Sequence, residues 1–355
     1  MIGRLFGKRP QPACRVTLWN DPYPYKKTFV IQGFSDLAEA GEVSVRLESF
    51  DFFQKLGAPA PVGPPYRSHK NIVLLVIEEA GRLTRIVYDA NDIYYKIPNR
   101  LLEWSDLYFK STYQEPYLRT GQLLTGPFWT SFPFREDCLP EPLDPRHFPK
   151  FRRASFSMEL FPSLRKNRRF FSRWSGAWLK SPPSRKKSDV FFLGRFWGDT
   201  REMSAAMLHE VRRQNLSLAG GLADSGDPLP ETLQPFVHRT VGYDRWSALA
   251  AHARLGLMTR GLMGCVSFKS LNFLMLGCPF IAAEFHSNFH APLLPGRHFL
   301  QVRDDFADLG EVVRSVTDDQ LVEMGRANLA HWNDHISPAA TARYMLREAA
   351  SLPAA

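Results

Sequence analysis

Cysteine is scarce in this chain of 355 residues: Cys14, Cys138, Cys265 and Cys278 are all there is, with no Cys-x-x-Cys pair. Neither a disulfide framework nor a structural zinc site is expected from such spacing, and buried free thiols in a reducing cytoplasm are. Long apolar runs are also missing. The longest aliphatic stretch, Ile72 to Ile77, is far too short for a helical membrane span. The basic N-terminus, MIGRLFGKRPQPACR, has no apolar h-region, so no signal peptide is expected. Several motifs are absent too: the G-x-G-x-x-G dinucleotide fingerprint, the Walker lysine loop, the G-x-S-x-G elbow and H-E-x-x-H. Gly194-Arg195-Phe196-Trp197-Gly198 follows an apolar run but is not a complete fingerprint.

What is present suits a folded protein of two ordinary domains: 44% hydrophobic residues and 13% aromatics rule out a disordered chain. Charge is unevenly placed. Between Arg146 and Lys187 stand 13 Lys/Arg and one acid, Glu159, so +12 of charge lies in that segment. The net charge is +9, which leaves the remainder at −3. The high isoelectric point is therefore local.

In the first half, strands are expected at Cys14–Trp19, Thr28–Gln32, Val43–Leu47, Ile72–Ile77, Arg85–Tyr88 and Asp106–Lys110, with a short helix over Pro98–Trp104. The near-continuous apolar run at Ile72–Ile77 reads as a buried parallel strand. The Pro- and aromatic-rich stretch 126–149 reads as loop. The second half alternates. Strands are expected at Val190–Leu193, Leu216–Ala219, Leu255–Thr259, Phe280–Ala283 and His298–Val302. Helices are expected from Thr200 to Gln214, Tyr243–His252, Ser267–Leu276, Ala307–Val316, Asp319–His335 and Pro338–Ala350. Such alternation implies βαβ units and a parallel sheet. The fold class is α/β, two Rossmann-like lobes with a cleft between them. Ser181-Pro182-Pro183-Ser184 marks the linker. The expected division is a first lobe at 1–180 with the basic segment 146–187, a second lobe at 189–335, and a tail at 336–355 packing back on the first lobe.

Candidate chemistry gathers at strand ends of the second half, where ligands of open α/β sheets bind. Gly264 to Val302 reads as a glycine turn, a helix starting at Ser267, a second turn at Gly277-Cys278-Pro279, and a strand. A helix N-terminus offers unpaired N–H groups to an anion, and Lys269 adds a full charge. Gly194 permits close approach of backbone to a ligand, and Arg201 begins the next helix with a charge suited to phosphate. Glu284 and His286 follow the Phe280–Ala283 strand, where a carboxylate suits ribose hydroxyls. Each has a plainer reading: Arg201 and Lys269 as solvated cations, Glu284 as a cap or a partner of Arg297.

These elements (Phe192-Leu193-Gly194 with Arg201, Ala253–Gly264, Ser267-Phe268-Lys269 with Gly277, Leu294-Pro295-Gly296-Arg297-His298-Phe299, and Asp305-Phe306-Ala307-Asp308-Leu309) resemble the capsule-associated and protein O-glucosyltransferase family. That family includes lipopolysaccharide-modifying transferases. The resemblance covers roughly Asp189–Val316. It implies a GT-B fold, a UDP-sugar as donor substrate with no separate cofactor, no metal, and inversion at the anomeric carbon. Lys269 stands where the family usually has arginine, and the signal peptide and disulfides of its secretory members are not expected here. Retaining GT-B enzymes carry two glutamates before the glycine turn. Counting back from Gly277, those places hold Asn272 and Gly264.

An inverting transfer needs a general base near the acceptor hydroxyl. The first-lobe candidates are Asp89 and Asp92, after the Arg85–Tyr88 strand, with Asp89 better matching the family's aspartate. Their plain reading is a cap or an Asx turn. In the basic segment, Leu164, Phe171, Trp174 and Trp178 fall near one helical face among Arg165, Lys166, Arg168, Arg169 and Arg173. Three readings stay open: an interfacial helix on anionic lipid, a grip on single-stranded nucleic acid, or aromatics packed on a lobe with solvated charges. The expected partners are a nucleotide sugar, a glycan or lipid-linked glycan, and an anionic membrane surface; nucleic acid is not favoured. The expected place is the cytoplasm, at the inner face of the membrane. The rival class is a non-catalytic membrane- or nucleic-acid-binding protein on a degenerate transferase fold.

Overall fold

The computed structural model describes residues 12–19, 27–59, 71–91, 93–122, 124, 143–155, 158, 161–196, 200–223, 229–261, 266–287 and 289–353. Asp92 and Gly264, and most of the expected loop 126–149, lie outside them.

The first lobe comprises β1 (Cys14–Trp19), α1 (Lys27–Glu39), β2 (Ser44–Glu48), α2 (Phe50–Lys55), β3 (Ile72–Glu79), β4 (Arg82–Asp89), α3 (Asn99–Trp104), β5 (Leu107–Lys110), α4 (Glu115–Thr120) and β6 (Phe151–Arg153). Its sheet runs β2-β1-β3-β4-β5-β6. Two expectations are corrected here. Thr28–Gln32 is helical, part of α1. Phe29, Val30, Gly33, Phe34 and Leu37 are buried at helical spacing, which a short window of β-branched residues conceals. β3 is antiparallel to both β1 and β4. It reverses into β4 through Ala80-Gly81, both at positive φ, the geometry that two-residue hairpins favour. An apolar run reports burial on two faces and says nothing of direction.

The chain then forms α5 (Leu164–Trp174), β7 (Ser188–Arg195), α6 (Arg201–Arg213), β8 (Leu218–Ala223), β9 (Val237–His238), α7 (Tyr243–Ala251), β10 (Ala253–Met258), α8 (Lys269–Leu276), β11 (Phe280–Ala283) and β12 (Phe299–Val302). It ends with α9 (Leu309–Ser315), α10 (Asp318–His331), a π-turn at Trp332–Ile336 and α11 (Pro338–Ala350). The second sheet is all parallel, in the order β12-β11-β10-β7-β8-β9. Numbered within the lobe, this is 6-5-4-1-2-3, the doubly wound Rossmann order, with its reversal between β7 and β10. The molecule is α/β with two Rossmann-like lobes, the first of them carrying one antiparallel strand.

The basic segment is shared: β6 belongs to the first sheet, and from α5 onward the segment joins the second lobe. Phe170, Trp174 and Trp178 are buried in that lobe's core beside Phe191, Leu274 and Trp332, and Trp178 Nε1 donates to the Ala253 carbonyl at 2.8 Å. Aromatics packed on a lobe is thus the arrangement found. A lipid-inserted aromatic face is corrected, because burying those rings in the core stabilises the fold more than exposing them would allow. Arg168 pairs with Asp36 and Glu39 of α1, while Arg165, Lys166 and Arg169 are exposed.

α10 opens on a capping box between Thr317 and Gln320. After the π-turn, Ser337 caps α11 with Pro338 at its first turn, where the missing N–H costs nothing. α11 returns to the first lobe: Ala342, Met345 and Ala349 share its core, and Arg152 pairs with Glu348 at 2.5 Å. None of the helices among the described residues is long and apolar enough to cross a membrane.

Candidate functional site

The site is built where the second sheet reverses. β7 ends at Gly194-Arg195 and β10 at Met258. Between β10 and β11 runs α8, whose residues Ser270 to Leu276 are all buried. A helix so enclosed has little freedom, which fixes its first residue, Lys269. The Lys269 ammonium lies 5.0 Å from the Phe192 ring centroid, over β7. A Cβ placed on Gly194 would stand 2.7 Å from Lys269 Nζ, inside any allowed contact. Glycine at 194 thus leaves room for both the Lys269 ammonium and the Phe192 ring, which stands 2.6 Å from the same position. Burial pushes the Lys269 amine down from 10.5 to about 8. Among the described residues it has no ion-pair partner. Ser267 sits under the helix start: its hydroxyl accepts from Lys269 N at 3.4 Å, and its carbonyl accepts from Ser270 Oγ at 2.8 Å.

One residue absent from the sequence reading organises the neighbouring strand ends. Arg260, just past β10, is 2% exposed. It donates to the Glu284 carbonyl at 3.3 Å and to His286 Nε2 at 2.5 Å, and it pairs with Asp304 at 2.7 Å. A buried guanidinium thus ties the ends of β10, β11 and β12 together. A hydrophobic-period reading passes over an arginine at the edge of a strand, and only the apolar run before it hinted at the position. The Glu284 side chain is exposed at the end of β11. His286 has its imidazole pushed below the usual range, first by burial and then by Arg260. Arg201 is exposed in the first turn of α6, 5.5 Å over the Phe196 ring. The structure therefore joins Gly194 with Lys269 and Ser267, and Glu284 with His286 through Arg260.

The first lobe faces these strand ends. Gln114 Nε2 donates to the His286 carbonyl at 3.4 Å, and Ser287 Oγ to the Tyr113 carbonyl at 2.9 Å. Beside these contacts is a cleft of about 530 Å³ between the lobes, lined from the first by Tyr113, Gln114, Glu115, Arg119 and Arg153 and from the second by Phe285 to Ser287. Asp89 is elsewhere. It is 0% exposed. Its carboxylate accepts from Lys110 Nζ at 2.9 Å, Tyr108 OH at 2.7 Å, Asn91 N at 2.9 Å and Asn91 Nδ2 at 2.6 Å. A base must reach the proton it removes. Asp89 meets four internal donors instead, so its assignment as general base is corrected: it is a structural carboxylate that ties together the ends of the parallel strands β4 and β5. Among the described residues no group of three His, Cys, Asp or Glu is placed to hold a metal ion.

No protein-family model and no curated protein matches the chain. Solved structures similar to it include sucrose-phosphate synthase from Thermosynechococcus elongatus (12% identity, 71% of this chain and 61% of that chain, TM-score 0.41). A glycosyltransferase from Rickettsia africae is similar at 9% identity over 71% of this chain and 67% of that one, with a TM-score of 0.43. HepE from Anabaena, in complex with UDP and glucose, is similar at 9% identity over 94% of this chain and 96% of that one, with a TM-score of 0.46. The chain spans 61% of the length of the synthase. The Rossmann order of the second lobe stands on this chain's own strand pairing.

Proposed function

We propose that the chain is a glycosyltransferase that moves a sugar from a nucleotide diphosphate, a UDP-sugar, to a glycan or lipid-linked glycan. The observation that carries this reading is the Lys269 ammonium, without a carboxylate partner among the described residues, lying across Gly194 where the strand order reverses. A half-buried cation at the switch point of a doubly wound sheet suits a diphosphate and stabilises it as a leaving group. In this reading Ser267, Lys269 and Arg201 hold the diphosphate and Glu284 meets the ribose. Arg260 and His286 shape the strand ends around them. Asn272, at the place of a retaining enzyme's glutamate, is buried within α8, which supports an inverting transfer. The exposed Arg165, Lys166 and Arg169 support a further part of the reading, attachment to anionic headgroups by charge alone.

Thermal unfolding with UDP, UDP-glucose and GDP tests the donor site. Stabilisation by millimolar uridine nucleotide is expected, and Lys269→Ala should weaken it about 10- to 100-fold, the worth of a hydrogen bond to a charged group. A bound phosphate raises the lysine pKa above its free value of about 8. Affinity is then full below pH 8 and falls as pH rises beyond it. No shift with any nucleotide would overturn the reading in favour of a non-catalytic binding protein.

A further inference from the structure

With Asp89 enclosed, the acceptor's proton needs another destination. Among the described residues that line the cleft between the lobes, Glu115 is the one carboxylate. It stands in the first turn of α4, opposite Phe285, His286 and Ser287 at the end of β11. Its two oxygens are treated unequally. Oε1 accepts from Arg119 Nε at 2.8 Å and lies 2.7 Å from Arg119 Nη2. Among the described residues Oε2 has only Arg153, at 3.6 Å and too far for a hydrogen bond. The two guanidiniums are themselves fixed by rings: Arg119 lies 4.3 Å over Phe148 and Arg153 lies 5.0 Å over Tyr113. The carboxylate is thus oriented by one oxygen, with the other left for a hydroxyl in a cleft that also offers an aromatic face and the Gln114 amide. Planar polar groups beside an aromatic ring are what a sugar's hydroxyls and apolar face require.

We infer that Glu115 is the catalytic base of the transfer, an inference that rests on the donor-site reading above. The acceptor oxygen forms its bond to the donor's anomeric carbon while its proton passes to Glu115 Oε2. The bond from that carbon to the diphosphate oxygen breaks, and its electron pair stays on the diphosphate, facing Lys269. The arginines hold the carboxylate in line.

UDP release from UDP-glucose, with water as the accepting hydroxyl, tests this. Glu115→Gln should lower kcat about 100-fold or more, the usual worth of a positioned base. KM for UDP-glucose and the UDP-induced rise in melting temperature should stay within threefold and within error. Glu115→Asp, which keeps the carboxylate, should recover at least tenfold of the lost rate and shows that the fall is chemical rather than a folding defect. A Glu115→Gln protein that releases UDP within threefold of the wild-type rate overturns the inference and leaves the donor reading intact. So does a rate loss explained entirely by KM, or an Asp variant no better than Gln. A wild-type chain that neither gains stability from UDP nor hydrolyses UDP-glucose removes the donor reading itself, and the role of Glu115 with it.

Discussion

Asp89 and Lys110 form an ion pair in which both side chains are wholly buried. Removing two charges from water is costly, and the pair is tolerated because the carboxylate also accepts from Tyr108 and both nitrogens of Asn91. Breaking one side leaves the other charge without compensation. Asp89→Asn should therefore cost about 3–5 kcal/mol of folding stability. Urea unfolding measures this, and a loss below about 1 kcal/mol would show that the pair is not holding the ends of β4 and β5 together. The contrast with Glu115 is one of exposure. Both are carboxylates beside cations at the cleft end of the first lobe, yet Glu115 is 40% exposed at its side chain and Asp89 not at all.

α5 divides its surface by chemistry. Phe170 and Trp174 turn into the second lobe's core, and Trp174 Nε1 donates to Asp244 at 2.7 Å. Arg168 crosses to α1, so part of the helix's charge is spent within the molecule. What reaches solvent is a cationic face, in which each residue near an anionic bilayer contributes about 1 kcal/mol. Pelleting with anionic vesicles should therefore show binding at low salt that is lost at high salt, with none to neutral vesicles. Replacing Arg165, Lys166 and Arg169 together by glutamate should weaken binding about 100-fold or more. Salt-resistant binding would instead indicate inserted aromatic rings.

Across the whole molecule, the C-terminal crossing is built around a cluster of histidines. His298 and His331 have ring centroids 4.5 Å apart, and His331 and His335 5.1 Å. His290, in the segment after β11, stacks on Tyr344 of α11 at 4.0 Å and so links the two lobes. Burial is the main cause that pushes His290 and His298 down to about 4 and His331 to about 3; Arg297, Arg347 and the neighbouring imidazoles add repulsion. Each folded-state value lies below the unfolded value of 6.5, so between those limits the unfolded chain binds more protons. Stability is complete above pH 6.5 and lost as pH falls towards 4, by up to about 1.4 kcal/mol per imidazole for each pH unit. Unfolding midpoints should fall steeply from pH 7 to 5, and His331→Gln should flatten the slope. A midpoint constant over that range would exclude the mechanism.

The amino-acid pattern alone determined the α/β class, the alternation of strands and helices from Val190 onward, and Lys269 at a helix start beside a strand end. These are local properties: hydrophobic period, capping residues and turn glycines act over a few neighbours. Strand direction is set by pairing and turns rather than by hydrophobicity, so the antiparallel β3, which reverses through Ala80-Gly81, could not be read from its apolar run. The same holds for the side chains that matter most. Asp89 followed a strand as a base would, yet Lys110, Tyr108 and Asn91 enclose it. Glu115 and Arg260 drew no reading from the sequence. Only the tertiary structure decided which carboxylate lies in the core and which faces the other lobe, because burial and pairing arise from packing between segments that the sequence keeps apart.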